Sequence, residues 1–259
     1  MSLKLLNYAR ELIQAEENRQ AIKPLTERDA SLTVDDAYHV QLEIVKLKTE
    51  EGNNVIGKKV GLTSKAMQEM LGVNEPDYGH LFEKMKVDHG GTISIDSMIA
   101  PKVEAEIGFV LKEDIVGPNI TFLDVLMATD YVTPALEIID SRVVNWEIKL
   151  IDTVADNGSS AKVVLGDDRK NLHEIDLRTN GMILKRNQKI ITTGSGSAAL
   201  GHPAEAIAWL ANKLANYDIA LKKGELILPG ALSSAVSVSK GDEVEANFGT
   251  LGTVNVTFI

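Results

Sequence analysis

A mixed α/β (α+β) protein, with a β-rich body behind a helical N-terminal lobe, is the fold class this chain predicts, and three observations carry the expectation. The first fifty residues place apolar side chains at helical spacing. Beyond Gly52 the texture changes to short apolar runs of strand length. No repeat, low-complexity segment or flexible linker interrupts those runs. The expected division is a helical lobe over residues 1–52 and a β-rich domain over 53–259.

The elements follow in order. Leu5, Leu6, Ala9, Leu12, Ile13 and Ala15 among charges predict a helix over 3–20. A second helix is expected after Thr33, which forms a capping pair with Asp36, with Tyr38, Leu42 and Val45 on its apolar face and Gly52 at its end. Residues 54–60 predict a strand, and Thr63 or Ser64 is placed to cap a short helix over Lys65–Leu71. Strands are expected over 102–111, 131–139, 162–165, 181–185 and 189–192, with a short helix near 123–128. The last two strands are joined across Arg186-Asn187-Gln188, a hairpin-like connection. Pro203 suits the first turn of a helix whose stripe is Ala206, Leu210 and Leu214. Runs at 225–228, 242–248 and 253–259 complete the strands.

Composition excludes several classes of function. The 259 residues carry 27 basic and 37 acidic side chains, a net charge of −10, which disfavours nucleic acid and anionic membrane surfaces as partners. A small anionic substrate remains compatible, because a local cation inverts the field inside one pocket. With no cysteine there is no disulfide, thiolate metal site or cysteine nucleophile. No signal-peptide core and no run of 18 apolar residues is evident, so a cytoplasmic protein is expected.

The most informative stretch is Pro101-Lys102-Val103-Glu104-Ala105-Glu106-Ile107-Gly108-Phe109. In a strand Val103, Ala105, Ile107 and Phe109 share one face, and Glu104 and Glu106 share the other, about 7 Å apart. Taken alone, that pair fits a solvated surface strand. A third acid changes the reading: Glu137 interrupts the apolar run Pro134-Ala135-Leu136-Glu137-Ile138-Ile139, where a carboxylate without a partner is costly. Three carboxylates without cysteine suit a hard, oxygen-preferring cation, Mg²⁺ or Mn²⁺, and leave coordination positions for substrate oxygens and water.

Residues 57–65, 72–79, 103–107, 134–142 and 152–157, together with Leu200-Gly201-His202-Pro203 and 224–230, resemble the 2-keto-4-pentenoate hydratase and 4-oxalocrotonate decarboxylase family, within the fumarylacetoacetate-hydrolase-like superfamily. The resemblance covers nearly the whole chain and implies a β-rich roll with flanking helices. It implies Mg²⁺ or Mn²⁺ on Glu104, Glu106 and Glu137, the acids nominated by the strand pattern. It further implies that Lys59, Asp77 and Ser159 act in catalysis, Lys59 and Ser159 also touching substrate. A small 2-oxo acid or its dienol is the implied substrate, in the meta-cleavage degradation of aromatic compounds. A homo-oligomer, with association between hydratase and decarboxylase subunits, is implied as well.

Each of these residues also has a plainer reading. Strand alternation puts Lys59 and Lys58 on opposite faces, so that only one is readily solvated; replacing Lys58 is expected to be nearly silent, and Lys59 serves acid–base work if its pKa is lowered. Asp77 follows Pro76 in a turn-like stretch, where Asp commonly satisfies backbone donors. Ser159 follows Asp156-Asn157-Gly158, a tight-turn sequence, and is a candidate to hold a substrate carboxylate or an attacking water. The five histidines, at 39, 80, 89, 173 and 202, lack metal-ligand spacing, His202 is expected to be structural, and Gly194-Ser195-Gly196-Ser197 lacks the ending of a phosphate loop.

The expected reaction is hydration of 2-hydroxypenta-2,4-dienoate to 4-hydroxy-2-oxopentanoate, because an Asp77 facing the cleft would repel a second substrate carboxylate. Its alternative is decarboxylation of 2-oxohex-3-enedioate, toward which Pro101-Lys102 and the doubled Ser159-Ser160 lean. An acylpyruvate-type hydrolase would want a His–Glu pair that the N-terminal region lacks. A non-catalytic subunit fits poorly with the intact acids and Lys59.

Overall fold

The computed structural model describes residues 3–259. Three helices open the chain: α1 (Leu3–Asn18), α2 (Leu25–Arg28) and α3 (Val34–Glu50). α1 buries Leu5, Ala9, Leu12 and Ala15, one stripe at intervals of three and four. At the start of α3, Thr33 Oγ1 accepts from Asp36 N at 3.1 Å and Asp36 Oδ2 accepts from Thr33 N at 3.0 Å. That is the expected capping box, and Gly52, at φ +79°, follows the helix end.

The remainder alternates strands with short helices: β1 (Val55–Gly61), α4 (Lys65–Leu71), β2 (Asp77–Phe82), β3 (Lys86–Val87), β4 (Thr92–Ile93), β5 (Lys102–Leu111), α5 (Phe122–Ala128), β6 (Thr129–Ile139), α6 (Leu150–Ala155), β7 (Ser160–Leu165), β8 (Gly181–Arg186), β9 (Lys189–Ser195), α7 (Pro203–Leu214), β10 (Leu226–Leu228), β11 (Val236–Ser237), β12 (Glu243–Asn247) and β13 (Thr253–Phe258). One sheet runs β2-β1-β10-β5-β6-β7-β3, with β11 also on β5, and a second runs β4-β13-β12-β8-β9. The 8–9 hairpin turns on Asn187 and Gln188, both at positive φ (52° and 63°), a geometry that matches strand twist. Ser64 caps α4 through Met67 N, and Pro203 stands in the first turn of α7, as expected.

Two stretches beside the cleft differ from the sequence reading. Asp77 opens a strand rather than sitting in a turn, because every residue of β2 is buried and no alternation betrays it. Residues 150–155 form α6, too short for periodicity to register. It is anchored instead by Asp152, whose carboxylate accepts from Thr26 N at 3.0 Å and Thr26 Oγ1 at 2.7 Å.

One contiguous core joins Leu5, Ala9 and Leu12 of α1 to Val103, Ala105, Ile107 and Phe109 of β5, all four of the last fully buried. A smaller cluster of Leu81, Phe82, Met85, Ala135, Val163, Leu226 and Leu228 packs beside it. The helices are locked to the sheet by one buried amide: Gln41 Nε2 donates to Tyr78 O at 2.9 Å and Val154 O at 2.8 Å, and its Oε1 faces His80 Nδ1 at 3.0 Å. No described helix is long and apolar enough to cross a membrane.

Burial, reinforced by the Lys58 ammonium, pushes the His80 pKa down to about 3, so the folded protein keeps this ring neutral where an unfolded chain would protonate it near 6.5. The stabilising difference is complete above about pH 6.5 and drains as pH falls toward about 3, at a slope of about 1.4 kcal/mol per pH unit. In urea unfolding between pH 6.5 and 5, the slope of unfolding free energy against pH should be more positive in wild type than in His80→Gln by about 1.4 kcal/mol per pH unit; equal slopes in the two proteins refute the assignment.

Candidate metal centre and active-site cleft

The antiparallel register of β5 and β6 sets Glu104 opposite Glu137, and Glu106 lies two residues further along the same face. One carboxylate oxygen from each lies within 4.8 Å of the others. Glu106 and Glu137 are fully buried, and Glu104 is half-buried at the cleft. Glu106 Oε2 accepts from Gly230 N at 2.7 Å, while Glu137 Oε1 accepts from Ser160 Oγ at 2.5 Å and lies 3.6 Å from Lys59 Nζ. Glu106 Oε1 and Glu137 Oε2 have no hydrogen-bond partner among the described residues.

Burial, followed by the charge of Glu137, pushes Glu104 up to about 7 and Glu106 well above the ordinary carboxylate range. Burial and mutual repulsion disfavour the ionised forms of Glu104 and Glu106 unless further positive charge enters. The orphaned oxygens and the hard donor set therefore fit a divalent cation, and Glu104, Glu106 and Glu137 are the residues that would hold it.

Lys59 is buried on β1, with its Nζ turned to this cluster. Burial lowers its pKa, but Glu137, Asp77, Glu104 and Glu106 together outweigh burial and raise it. The lowered pKa considered from sequence is therefore not found. Lys58 occupies the opposite face, as alternation requires, yet it is not solvated: it is 2% exposed and paired to Glu225 at 2.7 and 2.8 Å. The expectation of a silent Lys58 replacement fails because a distant segment supplies its counter-ion.

Asp77 faces Gly61 across the β1–β2 pair. Thr153 Oγ1 donates to its Oδ2 at 3.3 Å, and Oδ1 is buried without a hydrogen-bond partner among the described residues. Burial pushes Asp77 upward, against the pull of Lys59. A Cβ on Gly61 would fall 2.1 Å from Asp77 Oδ1, so glycine is required for this approach.

Asn157, Gly158 and Ser159 form the expected tight turn, all three left-handed at φ 55°, 59° and 55°. Gly158 is the floor beneath Lys59, and a Cβ there would lie 2.5 Å from Lys59 Cε. Asn157 completes the seat by pairing its side-chain amide with His80 N at 2.7 Å and His80 O at 2.9 Å.

A cleft of about 420 Å³ opens over these groups, with Lys59, Asp77, Glu104 and Ser159 in its wall and Glu106 and Glu137 behind Glu104. Sequence reasoning gave no role to two further wall residues, Lys102 and Trp146. The Lys102 ammonium lies 4.1 Å from the Trp146 ring centroid, and Lys102 shares the Glu104 face of β5 by simple alternation. It also missed Ser160 as the donor to Glu137, and Gly230 N; Ser160 was legible as the neighbour of Ser159, Gly230 was not. His202 caps α7 by accepting from Ala204 N at 3.1 Å, the structural role expected. The Gly194–Ser197 segment packs tightly on backbone, a Cβ at Gly194 falling 1.9 Å from Leu232 O.

The fumarylacetoacetate (FAA) hydrolase C-terminal family pattern matches residues 56–259, and the chain belongs to that family. Within it, the chain is 46% identical over 211 residues to the 2-hydroxypent-2,4-dienoate hydratase of Pseudomonas putida, covering 81% of this chain and 95% of that one. It is 42% identical over 249 residues to the 2-hydroxyhexa-2,4-dienoate hydratase of Comamonas testosteroni, covering 95% and 94%. The solved 4-oxalocrotonate decarboxylase of Pseudomonas putida G7, complexed with magnesium and adipate, superposes with a TM-score of 0.97 at 39% identity, covering 99% of this chain and 97% of that one.

Calorimetric titration of chelator-treated protein should show one Mg²⁺ or Mn²⁺ bound per chain. Glu106→Gln, which keeps shape and removes charge, should weaken that binding by at least ~10-fold; unchanged affinity excludes Glu106 as a ligand. Lys58→Ala should cost about 3 kcal/mol of unfolding free energy, by stranding the Glu225 carboxylate, and leave metal binding intact.

Proposed function

We propose that this protein is a divalent-metal-dependent hydro-lyase that adds water to 2-hydroxypenta-2,4-dienoate, giving 4-hydroxy-2-oxopentanoate in the degradation of aromatic-ring cleavage products. The observation that carries the reading is the buried, unpartnered Asp77 Oδ1 in the wall of the cleft, beside Lys59 and over the three-carboxylate cluster. The names of the two hydratases at 46% and 42% identity support the same reaction, and the magnesium in the solved relative supports the cation. The cysteine-free composition suits a cytoplasmic enzyme.

When bound by Glu104, Glu106 and Glu137, Mg²⁺ supplies Lewis-acid polarisation of the carboxylate and C2 oxygens of a 2-oxo acid. The remaining work falls to the protein. Lys59, kept cationic among acids, holds negative charge on the substrate oxygens. Burial raises the Asp77 pKa against the pull of Lys59, which makes its protonated form accessible to deliver a proton to the far carbon of the dienol while the C2 hydroxyl releases its own to water. The product of that step is a conjugated enone. Water oxygen then bonds to C4, the C3–C4 π pair moves onto C3, Asp77 takes the water proton, and C3 receives a proton, so that the net change is one added water.

A second reading, decarboxylation of 2-oxohex-3-enedioate, is favoured by one feature. The Lys102 ammonium at the cleft wall has the Trp146 face as its partner and offers a seat to a second carboxylate. Against it, the ionised form that Asp77 passes through in each turnover would repel that carboxylate by roughly 1–4 kcal/mol at ~4 Å.

The deciding experiment gives both compounds to the Mg²⁺-loaded protein and follows hydroxyketone and CO₂ separately. Higher kcat/KM for the dienoate is expected; faster CO₂ release with the dienol left unhydrated would make the protein the decarboxylase. Asp77→Asn should lower hydration by ~10²-fold with metal affinity near wild type.

A further inference from the structure

Behind the turn that carries Ser159 lies a buried ion pair with no role so far. Arg142 is 3% exposed and Asp156 is fully buried. Arg142 Nε donates to Asp156 Oδ1 at 2.5 Å, Nη1 donates to Asp140 O at 2.9 Å and Ser160 O at 3.0 Å, and Nη2 donates to Asp156 O. One guanidinium thus ties the end of β6 to the end of α6 and the start of β7. The second carboxylate oxygen, Asp156 Oδ2, accepts from Arg142 N at 3.1 Å, Ser141 Oγ at 3.3 Å and Ser159 Oγ at 2.9 Å. The turn is closed by Ser159 N donating to Asp156 O at 2.9 Å and Asp140 N donating to Ser159 O at 2.8 Å. Asn157 and Ser159 each hold a left-handed conformation that costs about 1–2 kcal/mol, so these outside contacts are needed to keep it.

The network fixes more than position. A serine hydroxyl has one proton and two lone pairs. The ion-paired Asp156 carboxylate only accepts, so the Ser159 proton is committed to it, and Ser159, which lines the cleft, has lone pairs alone to offer a ligand there. Lone pairs repel a carboxylate and accept from a water O–H.

We propose that Ser159 orients the water that adds to the substrate by accepting a hydrogen bond from it. Asp156, held by Arg142, is the positioning residue that fixes this polarity. The inference rests on the hydratase reading, and it removes Ser159 as a holder of substrate carboxylate. A water with one hydrogen on Ser159 Oγ has a lone pair left for C4 and a second hydrogen for Asp77, which takes that proton as the O–C4 bond forms.

The test uses Mg²⁺-loaded wild type, Ser159→Ala, Asp156→Asn and the double variant, with three readouts. They are hydration turnover, deuterium uptake at the far dienol carbon in D₂O, and the Kd of oxalate by calorimetry. Ser159→Ala should lower hydration by ~10-fold or more while deuterium uptake persists and oxalate Kd stays within ~2-fold. Asp156→Asn keeps an acceptor for Arg142 Nε and turns its amide N–H toward Ser159, reversing the hydroxyl at the cost of the Arg142 N contact. It should lower hydration comparably, and the double variant should lose no more than either single one. An oxalate Kd raised ~10-fold by Ser159→Ala, or additive losses in the double variant, overturns the proposal. If Asp156→Asn does not fold, Ser159→Ala alone decides through the split between hydration and oxalate binding. A wild type that hydrates no dienol sinks the hydratase reading and this proposal with it, whereas an active wild type without that split sinks the proposal alone.

Discussion

Three carboxylates share one confined space because two long strands pair in a register that sets Glu104 against Glu137, with Glu106 beside them. At separations within 4.8 Å, each ionised pair repels by roughly 3–4 kcal/mol at an effective dielectric of about 20. Strands β5 and β6 nonetheless form the most extensive pairing in the chain, running from Lys102↔Ile139 to Leu111↔Thr129. The apolar face of β5, with Val103, Ala105, Ile107 and Phe109 wholly buried, holds the strands in that register whatever the acids prefer. The protein therefore uses hydrophobic burial on one face of a strand to keep charge concentrated on the other.

The surroundings of the cluster follow from that constraint. Lys59 brings a cation from β1, Ser160 and Gly230 bring donors from β7 and from beyond β10, and oxygens of Glu106 and Glu137 are left without partners. Lys59 is in turn confined by Gly158, whose missing Cβ leaves room for the lysine stem. Gly158 belongs to a left-handed turn that cannot sustain itself, and the Arg142–Asp156 pair holds it. Acid cluster, lysine, turn and ion pair form one chain of dependence, and each link is buried. Replacing an inner link is therefore expected to reach the cleft through geometry rather than through loss of a substrate contact.

Much of this was legible residue by residue. The face shared by Glu104 and Glu106 follows from a period of two, the capping box at Thr33 from its spacing to Asp36, and the turn at Asp156-Asn157-Gly158 from its composition. Where the reading failed, the missing information was non-local. Lys58 looked solvated because its counter-ion, Glu225, is 167 residues away. Asp77 looked like a turn residue because β2, covered on both faces, shows no alternation.

The sequence by itself singled out the residues that the structure gathers around the cleft, since strand alternation, residue type and an unexplained acid in an apolar run are local properties. It also determined the architecture of the β-rich body, because the family pattern spans residues 56–259. Only the tertiary structure decided how those residues are charged and which way their protons point. Lys59 is raised rather than lowered because four carboxylates from three strands surround it, and Ser159 faces the cleft as an acceptor because Asp156 takes its proton. Charge state and hydrogen-bond direction depend on neighbours within a few ångströms in space, and those neighbours are scattered along the chain.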